Sequence, residues 1–197
     1  GFSHALEEEY GRLLDENGRH YLARVRAGSE RMAELIDHML ELSQLSRREM
    51  NIDQTDLSAI AGEIAAELHA GEPARRVEWV IAPGMRARGD AVLLGVVLLN
   101  LLGNAWKYSS RRSEARIEFG TAEKAGHRTY FVRDNGAGFD MAHASKLFGA
   151  FQRLHSPADY PGNGIGLATV ARIIHRHGGD VWAEGRPEEG ATFWFSL

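Results

Sequence analysis

The chain has 197 residues, no cysteine and a formal net charge of −4 at pH 7, with a sequence pI near 6.2. That length suffices for one globular domain plus a helical extension. The missing cysteine excludes disulfides and thiolate chemistry, and the mildly acidic balance supplies no general basic field for nucleic acid. No stretch is expected to reach the apolar length needed to cross a membrane and no signal-peptide pattern is read, so the expected location is cytoplasmic, without membrane contact by this segment.

From about Glu16 to Arg48, Leu22, Val25, Met32, Ile36 and Met39 recur at three- and four-residue spacing without proline, flanked by Tyr21, Leu35 and Leu42. This pattern predicts one long amphipathic helix. Phe2 to Leu14 would supply the end of a preceding helix and Asp15-Glu16-Asn17-Gly18 the turn, giving an antiparallel helical hairpin over residues 1–50. A lone hairpin leaves its stripe exposed, so either two chains combine into a four-helix bundle or the helix packs on its own neighbouring domain. A polar run at Asn51–Thr55 marks a boundary, and the second domain is expected over residues 55–197.

That domain opens with a predicted helix from Leu57 to Leu68 and a strand at Val77–Ile81. A strongly apolar helix follows, with Asp90 as its N-cap, then strands near Ala115–Phe119 and Tyr130–Arg133. Between Gly138 and Gly162, Phe148, Phe151, Pro157 and Pro161 stand without regular period, as in a lid, with both phenylalanines expected as hydrophobic anchors. Leu167, Val170, Ile173 and Ile174 share a helical face that Gly178-Gly179 stops, and two strands end the chain. Helices on one mixed sheet give an α+β fold, a two-layer α/β sandwich. His175 and His177, two apart on a helix, point in different directions and suit a surface or helix-terminus role rather than a metal pair.

Three segments carry the chemistry. In Asn100-Leu-Leu-Gly-Asn104-Ala-Trp-Lys107-Tyr108, positions i, i+4 and i+7 put Asn100, Asn104 and Lys107 on one polar face of an otherwise apolar helix. Asp134-Asn-Gly136-Ala-Gly138-Phe139 follows a strand, so its carboxylate sits where strand meets turn and can accept from an amino group while the glycines admit a flat ring. Gly162-Asn-Gly164-Ile165-Gly166-Leu167 feeds a helix start, where unpaired N–H groups and the helix dipole favour an anion such as phosphate. The glycine segment follows Pro161 rather than a strand, which disfavours a dinucleotide fold, and no P-loop pattern is present.

The order and spacing of these segments resemble the ATP-binding domain of bacterial sensor histidine kinases. The wider superfamily includes heat-shock chaperones of the ninety-kilodalton class, type II topoisomerases and MutL-type repair ATPases. Asn100–Tyr108 resembles the family's N box, Asp134–Gly138 its G1 box, Phe148-Gly-Ala-Phe151-Gln-Arg153 its F box and Gly162–Leu167 its G2 box. The resemblance implies a Bergerat-type (GHKL) fold that binds ATP and Mg²⁺. It implies Asn104 as the Mg²⁺ ligand with Asn100 beside it, Lys107, Tyr108 and Arg153 on the phosphate side, Asp134 as the adenine reader and Thr192 beside the base. Gly136, Gly138, Phe148, Gly162, Gly164, Ile165, Gly166 and Leu167 complete the expected nucleotide contacts.

The first fifty residues resemble the dimerisation and phosphotransfer hairpin of phytochrome-linked and PAS-linked kinases. That likeness implies a homodimer, transfer of the ATP γ-phosphate to a histidine, and relay to a response regulator receiver domain. The family's H box has an acidic residue after the histidine and a proline five positions on. None of the nine histidines fits it, His4, His20 and His38 included, so the acceptor is expected just upstream of Gly1 in a longer parent and this segment is not expected to phosphorylate itself. Two rival functions remain, a GHKL-type ATPase and a noncatalytic dimerisation and ATP-sensing module. The position of the activating carboxylate on the N-box helix reads Asn100, which argues against hydrolysis.

Overall fold

The structure is a computed structural model that describes every residue except 1–5, 7–9, 12, 48, 125, 157, 158 and 161, and leaves the side chains of residues 30, 31 and 34–47 undescribed. The chain divides into two compact units, Gly1–Arg47 and Arg48–Leu197.

The first unit contains one long helix, α1 (Glu16–Arg47, 32 residues). It starts at Glu16 as the apolar spacing predicts, and only the turn expected over Asp15–Gly18 differs. Asp15 Oδ1 accepts the Gly18 N–H at 2.7 Å, so Asp15 acts as the N-cap and Glu16, Asn17 and Gly18 already belong to the first turn. Tyr21, Val25 and Met32 are 64%, 58% and 60% exposed within this unit, so the described part of the apolar stripe lacks a partner there. The expected first helix over Phe2–Leu14 falls largely outside the described residues, as do the side chains of Leu35, Ile36, Met39 and Leu42.

The second unit runs β1 (Asp53–Asp56), α2 (Leu57–Gly71), β2 (Val77–Ile81), β3 (Arg86–Gly89), α3 (Ala91–Tyr108), β4 (Ala115–Lys124), β5 (His127–Asp134), a 3-10 turn (Met141–Lys146), α4 (Gly166–Arg176), β6 (Val181–Arg186) and β7 (Gly190–Phe195). Five strands form one mixed sheet in the order β2-β4-β5-β7-β6, with only β2 and β4 parallel. Side chains alternate across a strand. The register therefore places Ile117, Phe119, Tyr130, Val132, Phe193 and Phe195 on one face, all buried, and α2, α3 and α4 supply the second layer of the core. Strands β1 and β3 form a separate antiparallel ribbon. The run read as a boundary thus enters a strand at Asp53, with only Thr55 buried and its hydroxyl donating to Gly89 O at 2.9 Å.

Helix α3 is the spine of this layer. Leu93, Leu94, Val97, Leu98, Leu101, Leu102, Ala105 and Trp106 are buried, and the helix packs against α2, α4 and β5. Its 18 residues have a mean hydropathy of 1.4, so by length and composition it does reach the membrane-crossing range, correcting the sequence expectation. Burial explains that composition, because a helix that touches both neighbouring helices and the sheet needs apolar residues on most of its surface. Asp90 caps it as expected, accepting from Val92 N at 3.0 Å and Leu93 N at 3.1 Å, while its second oxygen accepts from Asn51 N at 2.9 Å. Asp90→Ala is expected to destabilise the domain by about 1–2 kcal/mol in urea unfolding, since a buried cap leaves three donors unmet. A loss below about 0.5 kcal/mol would contradict that reading.

Candidate functional site

Strand β5 ends at Asp134, which lies opposite Ala191 of β7 on the helix-facing side of the sheet. The carboxylate is 5% exposed and accepts from Gly136 N at 2.8 Å and from the Ala191 N–H. Burial pushes its pKa up from 3.8 to about 6, the two backbone donors opposing that rise only in part. A buried carboxylate in this state is an acceptor with no cationic partner among the described residues.

The loop after Asp134 is held tightly by backbone. Ala137 N donates to Tyr108 O at 3.0 Å, and a Cβ on Gly136 would run into that same carbonyl. Gly138 has φ +61°, and a Cβ there would overlap Arg186 O, so both conformation and space demand glycine. Arg112 locks the loop from outside. Its Nε donates to Asn135 O at 2.9 Å and its Nη2 to Gly136 O at 3.1 Å and to the backbone of Glu188 in the β6–β7 turn.

Asn100, Asn104 and Lys107 occupy one half-buried stripe of α3. Asn100 Nδ2 donates to Val96 O at 2.8 Å, and its Oδ1 faces the start of α4, where a Cβ on Gly166 would collide with it. Helix α4 begins without a side-chain cap, so its first N–H groups and the positive end of its dipole are presented at the glycine loop. Lys107 Nζ lies beside Gly162 in that loop and 4.5 Å from the Tyr108 ring centroid. Burial lowers the Lys107 pKa, and the Arg153 charge lowers it further. Two cations and a helix N-terminus thus converge on one region and give it a positive potential.

The segment between Gly138 and Gly162, expected as a lid, contains little regular structure among its described residues beyond the 3-10 turn, which Asp140 caps at Ala142 N. Arg153 donates to Gly162 O and to Tyr160 O, and Phe151 N donates to Gly164 O at 2.9 Å, tying the lid to the glycine loop. His155 Nε2–H donates to Gly138 O at 2.9 Å, and its ring meets Tyr108 and Tyr160 at centroid distances of 5.2 and 5.3 Å. The Tyr108 hydroxyl is pushed up by burial foremost. Phe148 is half-buried, whereas Phe151 is 46% exposed with φ 63°, so the expected anchor role fails for Phe151 in this conformation. Pro157 and Pro161 lie outside the described residues.

The structure therefore brings Asn100, Lys107, Tyr108, Arg153 and the 162–167 loop around one region, with Gly136, Gly138 and Asp134 joined to it through Tyr108 O. Ile165 is buried and Leu167 half-buried at the start of α4. Thr192 does not join them. It pairs with Arg133, whose Nε donates to its hydroxyl at 3.2 Å on the opposite face of the sheet from Asp134, and Ala191 takes the inward position. Arg112, His155 and Tyr160 are the site-supporting residues that sequence reasoning missed. Their contacts are to distant backbone carbonyls and rings, which leave no local pattern.

Residues 89–197 match the family of histidine kinase-, DNA gyrase B-, and HSP90-like ATPases. Cyanobacterial phytochrome B of Nostoc sp. is 35% identical over all of this chain and 26% of its own length. Phytochrome-like protein Cph1 of Synechocystis sp. is 31% identical over 98% of this chain and 26% of its own length. The methanogenesis regulatory histidine kinase FilI of Methanothrix harundinacea is 31% identical over all of this chain and 22% of its own length. Among solved structures, full-length ShkA in complex with AMPPNP superposes with a TM-score of 0.67 at 24% identity, over 98% of this chain and 41% of that one, a likeness of fold. The chain belongs to the histidine kinase-, DNA gyrase B-, and HSP90-like ATPase family. It spans about a quarter of the length of these curated relatives.

The raised Asp134 pKa makes stability pH-dependent with a definite sign. The folded state binds this proton more tightly than the unfolded chain does, so the contribution is fully present below pH 3.8 and is lost as pH rises through about 6. Asp134→Asn is expected to stabilise the nucleotide-free domain at pH 8 by up to about 3 kcal/mol, with the gain vanishing near pH 3.5. Urea unfolding at both pH values checks this, and an unchanged difference between them would refute it.

Proposed function

We propose that this chain is the kinase core of a two-component sensor histidine kinase, holding Mg-ATP so that the γ-phosphate passes to a histidine and onward to an aspartate of a response regulator receiver domain. The observation that carries the reading is Asp134, a buried carboxylate with no cationic partner among the described residues, set at the start of a loop whose glycines pack against Tyr108 O and Arg186 O. An exocyclic amine such as that of adenine supplies the donor this carboxylate needs, and Gly136 and Gly138 hold the loop beside it close to Tyr108 O and Arg186 O.

The remaining roles follow from charge and chemistry. Lys107, Tyr108 and Arg153 orient the phosphates, assisted by the N–H groups of the Gly162–Leu167 segment, and Phe148 belongs to the lid that covers them. Asn104, with Asn100 beside it, offers amide oxygen to Mg²⁺. Among the described residues no three His, Cys, Asp or Glu side chains gather as a metal site, which suits an ion that takes most of its shell from phosphate and water. Mg²⁺ held by Asn104 and Asn100 would neutralise negative charge that develops on the phosphates during transfer. An amide at position 100 accepts no proton from water, so hydrolysis is not the role proposed. Residues 1–50 serve as a dimerisation hairpin, the acceptor is not one of the chain's own histidines, and the domain works in the cytoplasm.

Calorimetry with AMPPNP and Mg²⁺ tests the reading directly. Saturable binding is expected, with Asp134→Asn weakening it at least tenfold and Asn104→Ala removing its Mg²⁺ dependence; no heat from the well-folded parent would end the proposal. The analogue should also bind more weakly as pH falls below about 6, because a protonated Asp134 is a poorer acceptor. Hydrogen exchange over residues 140–162 should slow on adding the analogue, whereas equal exchange would remove the lid from the account. Incubation with ATP should place no acid-labile phosphate on any of the nine histidines.

A further inference from the structure

A cavity of about 660 Å³ lies against Arg176 and His177, at the far end of α4 from the glycine loop. Eleven helical residues, about 16 Å, separate the two regions. Arg86, Arg88, Arg128 and Arg176 line its wall and no acidic side chain does. Arg86 shares its charge with exposed Asp56 at 3.8 Å, while Arg88 and Arg128 have no ion pair among the described residues. Buried Ala87 and Tyr130 form the floor, and Met50, Ile52 and Leu197 add apolar surface.

The wall is firmly built. His177 Nδ1–H donates to Ile173 O at 2.8 Å and its Nε2 accepts from Asp90 N at 3.0 Å, so this ring is a neutral strut between α4 and the start of α3. The Tyr130 hydroxyl donates to Arg86 O at 2.9 Å and fixes β3 above β5. In a chain of net charge −4, a concentration of guanidinium groups at one cavity repels itself and attracts anions. Guanidinium forks match carboxylate and phosphate oxygens two at a time. The volume falls in the range of small-molecule sites, and the mixture of apolar floor and charged wall suits a molecule with both characters.

We propose that this cavity is a second ligand site, distinct from the nucleotide site, that takes a small organic anion: a phosphate or carboxylate head on an apolar body. The head is held by Arg88 and Arg128 and the body lies over Ala87 and Tyr130. The inference does not rest on the kinase assignment, because none of these residues belongs to the nucleotide contacts.

Titration with 1-naphthyl phosphate and with 1-naphthoate, followed by amide chemical shifts, tests it. At least one of the two is expected to bind saturably and move residues 86–88, 128 and 176–177 while leaving 134–138 and 162–167 in place. Arg88→Glu with Arg128→Glu should weaken binding at least tenfold, and Arg88→Gln with Arg128→Gln at least fivefold with an unchanged melting temperature. Absence of binding by both anions, equal binding by the variants, shifts confined to residues 162–167, or equal affinity for 1-naphthol or for inorganic phosphate alone would each overturn the proposal.

Discussion

Helix α3 must be apolar enough to fill the layer between α2, α4 and the sheet and yet carry a stripe of amides and a lysine toward the start of α4. The two demands meet in its period. Leu94, Leu98, Leu101 and Leu102 face the core while Asn100, Asn104 and Lys107 share the stripe that borders the glycine loop. Both ends of the helix are therefore fixed by long-range contacts. Asp90 receives donors from Asn51 and from the first turn, and Arg75 donates to Trp106 O at 2.6 Å and Ser109 Oγ at 3.0 Å at the other end, with its guanidinium stacked on the Trp106 ring. Any rotation of α3 would turn a leucine toward the phosphate side and an amide into the core.

The site is electrically divided before any ligand arrives. One end holds a carboxylate that burial makes reluctant to ionise, and the other holds Lys107, whose charge burial and then the neighbouring Arg153 disfavour. Neither end is relaxed. Such an arrangement sacrifices stability in the free protein and recovers it when complementary charge and hydrogen-bond donors arrive, which is the sense of preorganisation. The lid follows the same logic. Phe151 sits exposed at positive φ while Arg153 donates to the backbone carbonyls of Tyr160 and Gly162, so the segment spends hydrogen bonds on itself.

Much of this was legible in the chain because the signals were local. Asp90 before a leucine-rich run, the strand leading into Asp134, and the glycines opening and closing α4 each state their role within a few residues. What failed was non-local or off by one. The ribbon of β1 and β3 joins polar segments more than thirty residues apart, with Thr55 as its only buried member in β1, so no periodicity announces it. Thr192 illustrates the strand period: a single residue separates it from Ala191, and that step moves the side chain to the far face, beside Arg133 and Glu184. At the start of α1 the expected Asn-Gly turn is instead the first helical turn, because the Asp15 carboxylate caps it.

The two ends of α4 also explain why anions require different means at each. At Gly166 the dipole and uncapped N–H groups already favour negative charge, so glycines that bring backbone close suffice, with Lys107 and Arg153 adding reach. At Arg176 the dipole presents its negative end, and a helix C-terminus by itself repels an anion. Cationic residues in the last turn answer the helix's own carbonyls first. An anion near that end is held only if additional cations come from elsewhere, and β3 and β5 contribute Arg86, Arg88 and Arg128 to the same wall. With Arg86 shared with Asp56, Arg88 and Arg128 still exceed what one helix terminus can neutralise, so the cavity keeps a positive surplus despite the orientation of the helix beside it.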